Sequence, residues 1–343
     1  MKKIFIRSPY FIQVNEAGQL GSKVELYLYN KGNAVPILPT YVLSKKVATT
    51  TQLENTYNIA NYAKEYIKPV SSIKTPIEED VNCWAYCIVK RYTELTLGVY
   101  TLLSTETFVC LNGYTNYVDG YNQFKQNVYA NDILPLTNIN IKIYEKQGVF
   151  NYFNVWLKAP AAGYVYRWDN RNLTIPSDGV YKLDYINGTS VLSYALIGEA
   201  NAIFSVTAET LCENKYTPIT CEFINRYGGW QYLTFFKANL QSIETTNKDF
   251  NLLPSSVNYN VLQGQKRTFN QQGKQKIKCN TGWVDENYFD LIQDLLMSEV
   301  VLLDNKPVIV KSTSSDYKTH LKDKNINYEI EFEYNYGLIN DVI

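Results

Sequence analysis

The last clear element of the chain alternates strictly between apolar and acidic residues. Every second position of residues 328–334 is apolar or aromatic: Tyr328, Ile330, Phe332 and Tyr334. The positions between them are acidic: Glu329, Glu331 and Glu333. Because successive side chains of a strand point to opposite faces, this pattern predicts a strand with one buried and one solvated face. Such strands belong to antiparallel sheets that cover a core on one side.

Tyrosine is unusually frequent, with 30 of the 343 residues. It favours strands, and its large ring with a polar tip also suits protein interfaces. A genome whose base composition favours Tyr and Asn codons would give the same count. Composition alone therefore leaves open which tyrosines form core and which form interface.

The first 110 residues read mostly as strands. Residues 24–29 have the composition of a strand, and residues 84–92 and 95–103 read as a strand and its partner. One short helix interrupts them, because apolar residues at i, i+3, i+4, i+7 and i+8 form a helical stripe. The stripe consists of Ile59, Tyr62, Ala63, Tyr66 and Ile67. Short strands with frequent turns and one brief helix predict a β-sandwich.

The middle of the chain continues with strands after a loop-like segment, residues 112–138. Strands are predicted near residues 139–144 and 150–157, and turns follow at 169–170, 177–179 and 187–188. We place one domain boundary near residue 145. We place a second near residue 250, at the end of the polar stretch 242–251.

The last hundred residues predict a helix packed on strands. The apolar stripe of the helix consists of Tyr288, Phe289, Ile292, Leu295 and Leu296. Asp285 and Glu286 are expected in its first turn, where the helix dipole favours acidic side chains. Residues 304–307 predict a hairpin turn between two strands.

The predicted fold class is mainly β. It comprises two β-sandwich-like domains, residues 1–145 and 146–250, followed by a C-terminal α+β module, residues 251–343. In that module one helix packs on an antiparallel sheet.

Charge is balanced, with 33 basic and 33 acidic residues, and charged residues make up only 19% of the chain. A field that would attract DNA or an anionic membrane is therefore absent. No stretch of about 18 apolar residues predicts a membrane span, and the basic start of the chain is too short for a signal peptide. We expect the protein to fold in a reducing cytoplasm with its cysteines as free thiols.

Residues that could carry catalysis are few. His320, the one histidine, lies in a polar stretch and reads as a surface residue. The densest carboxylate cluster, Glu78, Glu79 and Asp80, follows Pro76 and reads as a solvated face, although glycoside hydrolysis needs only two carboxylates. The Gly228–Gly229 pair reads as a tight turn, because no helix follows that could hold a phosphate.

The cysteines and lysines also have structural interpretations. Cys83 and Cys87 are expected on one face of a strand, with Cys110 as a possible third metal ligand, but no fourth ligand is evident and core packing is the better account. Cys212 and Cys221 could meet across a hairpin. The basic clusters are dispersed, and the alternating set is predicted to line a solvated strand face. They are Lys45 with Lys46, Lys266 with Arg267, and the alternating Lys274, Lys276 and Lys278.

We therefore assign no catalytic, cofactor-binding or metal-binding residue, and no cofactor. The chain is expected to be a non-enzymatic protein that works through protein–protein contacts.

Three sets of residues resemble virion proteins of tailed phages that infect Bacteroidota, including crAss-like phages. The first set is residues 7–10 followed by 23–26. The second is residues 223–231 running into 235–237. The third is residues 280–283 with the helix that follows, then residues 297–300 and the closing strands.

The resemblance implies a tail or neck component, such as a tail-hub or ring protein, that assembles in the host cytoplasm. Its implied partners are copies of itself and other tail, neck or portal-proximal proteins, without sequence-specific nucleic-acid binding or a membrane. The alternative is a receptor- or carbohydrate-binding module of a tail fibre, which would use exposed aromatic rings. A glycoside hydrolase with two carboxylates elsewhere in the chain is a third hypothesis.

Overall fold

The structure is a computed structural model. It describes residues 1–49, 51, 53–70, 80, 82–120, 129–149, 151–199, 201–213, 215–252, 260, 262, 264–312 and 325–339. Most of these residues lie in strands of several sheets, so the predicted mainly-β class is confirmed.

The first part of the chain forms a five-stranded sheet, a two-stranded sheet and a helix. Their bounds are β1 (Lys2–Phe5), β2 (Phe11–Val14), β3 (Gly21–Tyr29), β4 (Tyr41–Lys46), β5 (Asn55–Asn58), α1 (Ala60–Tyr66), β6 (Trp84–Thr96) and β7 (Val99–Leu111). The larger sheet has the order β1-β7-β6-β3-β4, and β2 pairs with β5. The pair β1–β7 is parallel, and the other neighbours of this sheet are antiparallel.

The predicted hairpin of residues 84–103 is confirmed with a shifted turn. β6 runs on to Thr96, so Leu95 belongs to the first strand rather than to its partner. The turn lies at Leu97 and Gly98, where a φ of 80° suits glycine.

The predicted stripe of α1 is confirmed. Ile59, Ala63 and Ile67 are buried, and Tyr62 and Tyr66 pack against the same core. This stripe closes the core between the five-stranded sheet and the β2–β5 pair.

The middle of the chain forms a three-stranded and a five-stranded sheet. Their strands are β8 (Leu134–Pro135), β9 (Ile143–Lys146), β10 (Tyr152–Leu157), β11 (Tyr164–Trp168), β12 (Arg171–Leu173), β13 (Gly179–Asp184), β14 (Gly188–Leu196) and β15 (Ala202–Leu211). The orders are β13-β10-β8 and β12-β11-β14-β15-β9. The strand predicted at 139–144 begins only at Ile143.

The last part of the chain forms a seven-stranded sheet and a helix. Their bounds are β16 (Ile219–Ile224), β17 (Trp230–Phe235), β18 (Leu240–Asn251), β19 (Lys266–Asp285), α2 (Tyr288–Leu296), β20 (Val301–Leu303), β21 (Lys306–Val310) and β22 (Asn325–Tyr334). The order is β17-β16-β20-β21-β22-β19-β18.

Helix α2 begins later than predicted. Asp285 is the last residue of β19, and its carboxylate accepts a hydrogen bond from the Asn287 amide at 3.0 Å. Asp285 and Glu286 therefore precede the helix, and the acidic residue of its first turn is Asp290. The apolar stripe is confirmed by buried Tyr288, Ile292 and Leu295, which Leu291 and Asp294 join.

Two further predictions in this region are confirmed, each with one difference. The hairpin turn is shorter than predicted: Asp304 and Asn305, with positive φ angles of 44° and 65°, connect β20 to β21, whereas Lys306 and Pro307 already belong to β21. In β22, Tyr328, Ile330 and Phe332 are buried and Glu329 is exposed, as the alternation requires, whereas Glu333 of the opposite face is also buried, beside Lys274 and Lys311.

The largest core cluster draws on residues from Ile133 to Phe332. It includes side chains from both sides of residues 145 and 250. A smaller cluster joins the first sheet to the three-stranded sheet, with Trp84 and Trp156 edge to face at 5.1 Å. Neither α1 nor α2, the α-helices of the described residues, has the length and apolar character needed to cross a membrane.

Candidate functional site

Of the carboxylate cluster in the sequence, Asp80 is the member that the structure describes. Glu78, Glu79 and His320 lie outside the described residues. Asp80 is buried, so its interpretation as part of a solvated face is wrong. Asn154 Nδ2 donates to Asp80 Oδ2 at 3.2 Å, and Lys182 Nζ lies 4.0 Å from the same oxygen. A buried carboxylate needs such partners, and here they serve the packing of β10 and β13.

Cys83, Cys87 and Cys110 are buried, which confirms core packing. Cys83 precedes β6 and belongs to a different core cluster from Cys87, so the two do not share one strand face as expected. The neighbouring Cys87 thiol, together with burial, raises the pKa of Cys110 well above its ordinary value. Thiols of this kind stay protonated and unreactive.

The remaining cysteines lie in different surroundings. Cys212 is exposed, whereas Cys221 is buried and close enough to Cys279 for the two thiols to interact. The structure has no disulfide between Cys212 and Cys221. Within the described ranges, no three His, Cys, Asp or Glu side chains gather where they could hold a metal ion.

The alternating lysines of β19 lie on a solvated strand face, as predicted, and each has a carboxylate partner. Lys274 Nζ lies 3.3 Å from Glu333 and Lys276 Nζ lies 2.6 Å from Glu244, and Lys278 pairs with Glu329. These glutamates come from β18 and β22, on either side of β19. The face is therefore a ladder of opposite charges, and its lysines are not free to bind phosphates.

The tyrosines divide mainly in favour of the core. Ten of the tyrosines in the described residues are buried: Tyr10, Tyr27, Tyr57, Tyr152, Tyr166, Tyr181, Tyr185, Tyr232, Tyr288 and Tyr328. Lysines lie over several of the rings, such as Lys23 over Tyr92 at 4.3 Å and Lys90 over Tyr27 at 4.6 Å. Tyr-richness therefore reflects folding at least as much as binding.

A two-stranded arm extends past the rest of the seven-stranded sheet. β22 pairs with β19 only between Lys276 and Asp285, so β18 is the one described strand that pairs with residues 266–275 of β19, and the Leu338 amide adds a hydrogen bond to the Gly273 carbonyl at 2.9 Å. We call residues 243–251 and 266–275 the arm. At about 3.4 Å per residue its strands are roughly 30 Å long. Every residue of β18 is exposed, and Leu338 contacts the arm near its base at Gly273.

The arm carries apolar side chains in solvent. Ile243 is 64% exposed, and Phe250 and Phe269 are 44% and 45% exposed. The two rings meet edge to face with centroids 5.6 Å apart, beyond the bulge that shifts the β18–β19 register between Thr246 and Lys248. A two-stranded hairpin in water is marginally stable by itself. An arm of this kind gains stability when another surface covers it.

A second open edge lies in the first sheet. β1 pairs with β7 only from Phe108 to Leu111, so residues 99–107 have no partner on their outer side in the described chain. We call residues 99–107 the β7 edge. Val99, Leu102 and Leu103 are exposed there, and the segment contains no proline or lysine. Proteins that remain monomers usually protect such edges with lysine, proline or a covering loop.

The chemistry available on these surfaces is backbone hydrogen bonding and apolar burial. An open strand can accept a strand from another chain, with backbone groups giving affinity and side chains giving specificity. No protein-family model matches this chain, and no curated protein matches it in sequence.

Proposed function

We propose that this chain is a non-enzymatic structural component of a phage tail or neck. It assembles with copies of itself, and with other tail, neck or portal-proximal proteins, into a ring or hub in the host cytoplasm and then resides in the virion. The observation that carries the proposal is the arm, a long exposed ribbon with apolar side chains that the described part of the chain leaves uncovered.

The second support is the β7 edge. A closed ring needs two different surfaces on each subunit, because each copy contacts its neighbours through non-identical patches. The arm and the β7 edge belong to different sheets and provide two such surfaces. The resemblance of residues 223–231 and 280–283 to virion proteins points to the same role.

In finer detail, we propose two β-sandwich-like units followed by a C-terminal α+β module. In the module α2 packs its buried stripe toward the seven-stranded sheet, whose exposed end carries the arm. The module then serves as the part that presents the arm to a neighbouring subunit.

The test is native mass spectrometry of the purified chain over a range of concentrations, with negative-stain imaging of the same samples. We expect a defined oligomer larger than a dimer, with ring-shaped particles. A chain that stays monomeric at the highest concentration, and binds no other tail protein, contradicts the proposal.

The double variant Phe250→Ser/Phe269→Ser tests the role of the arm. Removing two half-exposed rings from an interface costs about 1.5–3 kcal/mol, so assembly should weaken about 10- to 100-fold. Tyr117→Ser is the matched control, because Tyr117 is fully exposed and lies outside the arm. Equal assembly of the double variant and the control would show that the arm is not an interface.

A further inference from the structure

One tryptophan differs from the other four. Trp84, Trp156, Trp168 and Trp230 are all at least 97% buried, whereas Trp283 is 70% exposed. Tryptophan has much apolar area, and folding normally removes most of it from water. An indole left in solvent on a well-formed strand presents a flat apolar face that a ligand can stack on.

The backbone around Trp283 aims the indole outward. The β19–β22 register shifts between Asn280 and Trp283, and bulges of this kind redirect side chains. Gly282 has a φ of 76°, which side-chain-bearing residues rarely adopt. The Thr281 hydroxyl fixes the bulge, because it donates to the Gly282 carbonyl at 2.8 Å and accepts from the Tyr328 amide at 3.0 Å.

Trp283 forms one wall of a small open cavity of about 230 Å³, which we call the Trp283 cleft. Its other lining residues include Cys212, Glu213, Phe236, Lys237 and Gly282. Clefts for drug-sized ligands measure about 300–1,000 Å³, so this one suits a single small ring.

The charged groups of the cleft are held in place before any ligand arrives. Lys237 Nζ lies 2.7 Å from Glu213 Oε2, and the Lys215 amide donates to Glu213 Oε1 at 3.0 Å. The Lys237 ammonium lowers the pKa of Glu213, so the carboxylate is charged at neutral pH. A hydroxylated ligand would meet an ordered acceptor and an ordered donor beside a flat aromatic face.

The neighbours of Trp283 on the sheet are hydrophilic. Asn327 lies opposite Trp283 in the register, Asn280 begins the bulge, and Asn280 Nδ2 donates to Glu329 at 3.2 Å. Aromatic anchors of protein interfaces are usually surrounded by contacts that exclude water. A lone indole among amides and charged groups suits a hydrated, amphipathic ligand better than the surface of another protein.

We propose that the Trp283 cleft binds a carbohydrate, with one pyranose ring stacked on the indole. The C–H groups on one face of the sugar contact the ring, while its hydroxyls donate to Glu213 and accept from Lys237. Glycan binding here does not depend on the assembly role of the arm, so either proposal can fail without the other.

Tryptophan fluorescence gives a selective test in the full chain. A quencher such as acrylamide reaches Trp283 and not the four buried indoles, so quenching reports on this residue alone. The probes are methyl glycosides of glucose, galactose, mannose, N-acetylglucosamine and rhamnose, after a glycan array has ranked the sugar classes. We expect at least one glycoside to protect Trp283 from quenching in a saturable manner.

Three variants define the site. Binding on the array should fall about tenfold or more in Trp283→Ala, since the stacking contact is worth roughly 1.4 kcal/mol or more. Glu213→Gln should weaken binding while leaving the quenching of the free protein unchanged. Tyr117→Ala, which removes an exposed ring outside the cleft, should bind as the wild type does.

The opposite results are equally clear. The proposal is overturned if no glycoside protects Trp283 at its highest soluble concentration, or if array binding survives Trp283→Ala. It is also overturned if Trp283 is shielded in assembled particles without sugar and exposed in the Phe250→Ser/Phe269→Ser variant, because the indole is then a subunit contact.

Discussion

At the scale of single residues, two buried carboxyl groups among the described residues have a raised pKa. Burial raises the pKa of Glu145 to about 8, with Asn151 opposing part of the rise and the Asp184 carboxylate adding to it. Burial also raises the pKa of Asp294 to about 7, against the opposing charge of Arg226, whose Nε lies 4.0 Å from the carboxylate. Because the pKa of each group differs between the folded and the unfolded chain, the free energy of unfolding depends on pH.

The Glu145→Gln variant should isolate this effect. In the folded chain Glu145 stays protonated up to about pH 8, whereas the unfolded chain loses the proton near its ordinary pKa of 4.5. The free energy of unfolding of the wild type should therefore fall as pH rises from 4.5 to 8 and level off above that range. Glutamine cannot ionise, so the variant should be more stable than the wild type by about 1–3 kcal/mol at pH 8.

Urea unfolding at pH 5, 6.5 and 8 measures this difference. Glu54→Gln is the control, since it removes an exposed carboxyl group and should stay within about 0.5 kcal/mol of the wild type. A difference between Glu145→Gln and the wild type that does not grow with pH would contradict the assignment of a neutral Glu145.

Gly228 lies at a close approach between the turn of residues 225–229 and the end of the first sheet. Its φ is 82°, and a Cβ there would lie 2.8 Å from the backbone nitrogens of Asn112 and Gly113. Gly228→Ala should cost about 3 kcal/mol or more, because backbone atoms must move as well as φ being unfavourable.

Gly32→Ala provides the matched comparison for thermal unfolding. Gly32 has nearly the same φ of 85°, with open space around the added methyl group. It should cost only the conformational strain of about 1–2 kcal/mol. If both variants lose the same stability, the close approach at Gly228 contributes nothing.

The burial and the partners of individual side chains were the features that the sequence predicted least well. The tight turn at Gly228–Gly229 and the burial of Cys83, Cys87 and Cys110 follow from residue type, and both are confirmed. Asp80 was misplaced because its partners, Asn154 and Lys182, lie far away in the chain. Long-range partners leave no mark on local sequence patterns.

At the scale of elements, the spacing of apolar residues in the sequence predicted the helices and strands that have one buried face. β22, α1 and α2 each pack one side against a core, so their apolar residues recur at the spacing of a strand or a helix. β18 has no buried face. In the sequence its residues 242–251 therefore indicated only a polar stretch that ends at the predicted domain boundary near residue 250. A strand solvated on both sides has no apolar alternation, so the arm could not be predicted in this way.

The arm should also behave differently from the rest of its sheet in hydrogen exchange. In dilute solution β18 amides should exchange much faster than those of β22, because the arm is two-stranded and solvated while β22 lies between two strands. Mass spectrometry at concentrations below and above assembly should show new protection in the arm. Equal protection at both concentrations, in a sample that does assemble, would place the interface elsewhere.

At the scale of the whole molecule, hydrogen bonds and an ion pair connect segments that are far apart in the sequence. Arg7 Nη2 donates to the Met297 carbonyl at 2.5 Å, and Lys64 Nζ lies 2.7 Å from Glu299. The Tyr114 amide donates to the Arg226 carbonyl at 2.8 Å. These contacts join the first sheet to the end of α2 and to the β16–β17 turn.

The mainly-β class could be predicted from composition and turns, whereas the arrangement of parts could not. The boundaries near residues 145 and 250 stay a prediction, and the largest core takes side chains from both sides of each position. The seven-stranded sheet explains why, since it places β16 beside β20, from much later in the chain. Turn signals report where strands end but not which strands become neighbours.

The parallel pairing of β1 with β7 constrains the order in which the strands of the first sheet can pair during synthesis. Lys2 lies opposite Phe108, so the first strand leaves the ribosome long before its partner exists. At about 5–20 residues per second, the delay is roughly 5–20 s. During that time Ile4 and Phe5 cannot pack into the first sheet. β1 is synthesised before the other strands of that sheet, but it can pair only after β7 has been synthesised. Slowing or pausing translation between β1 and β7 therefore lengthens the exposure of an apolar N-terminal strand to chaperones.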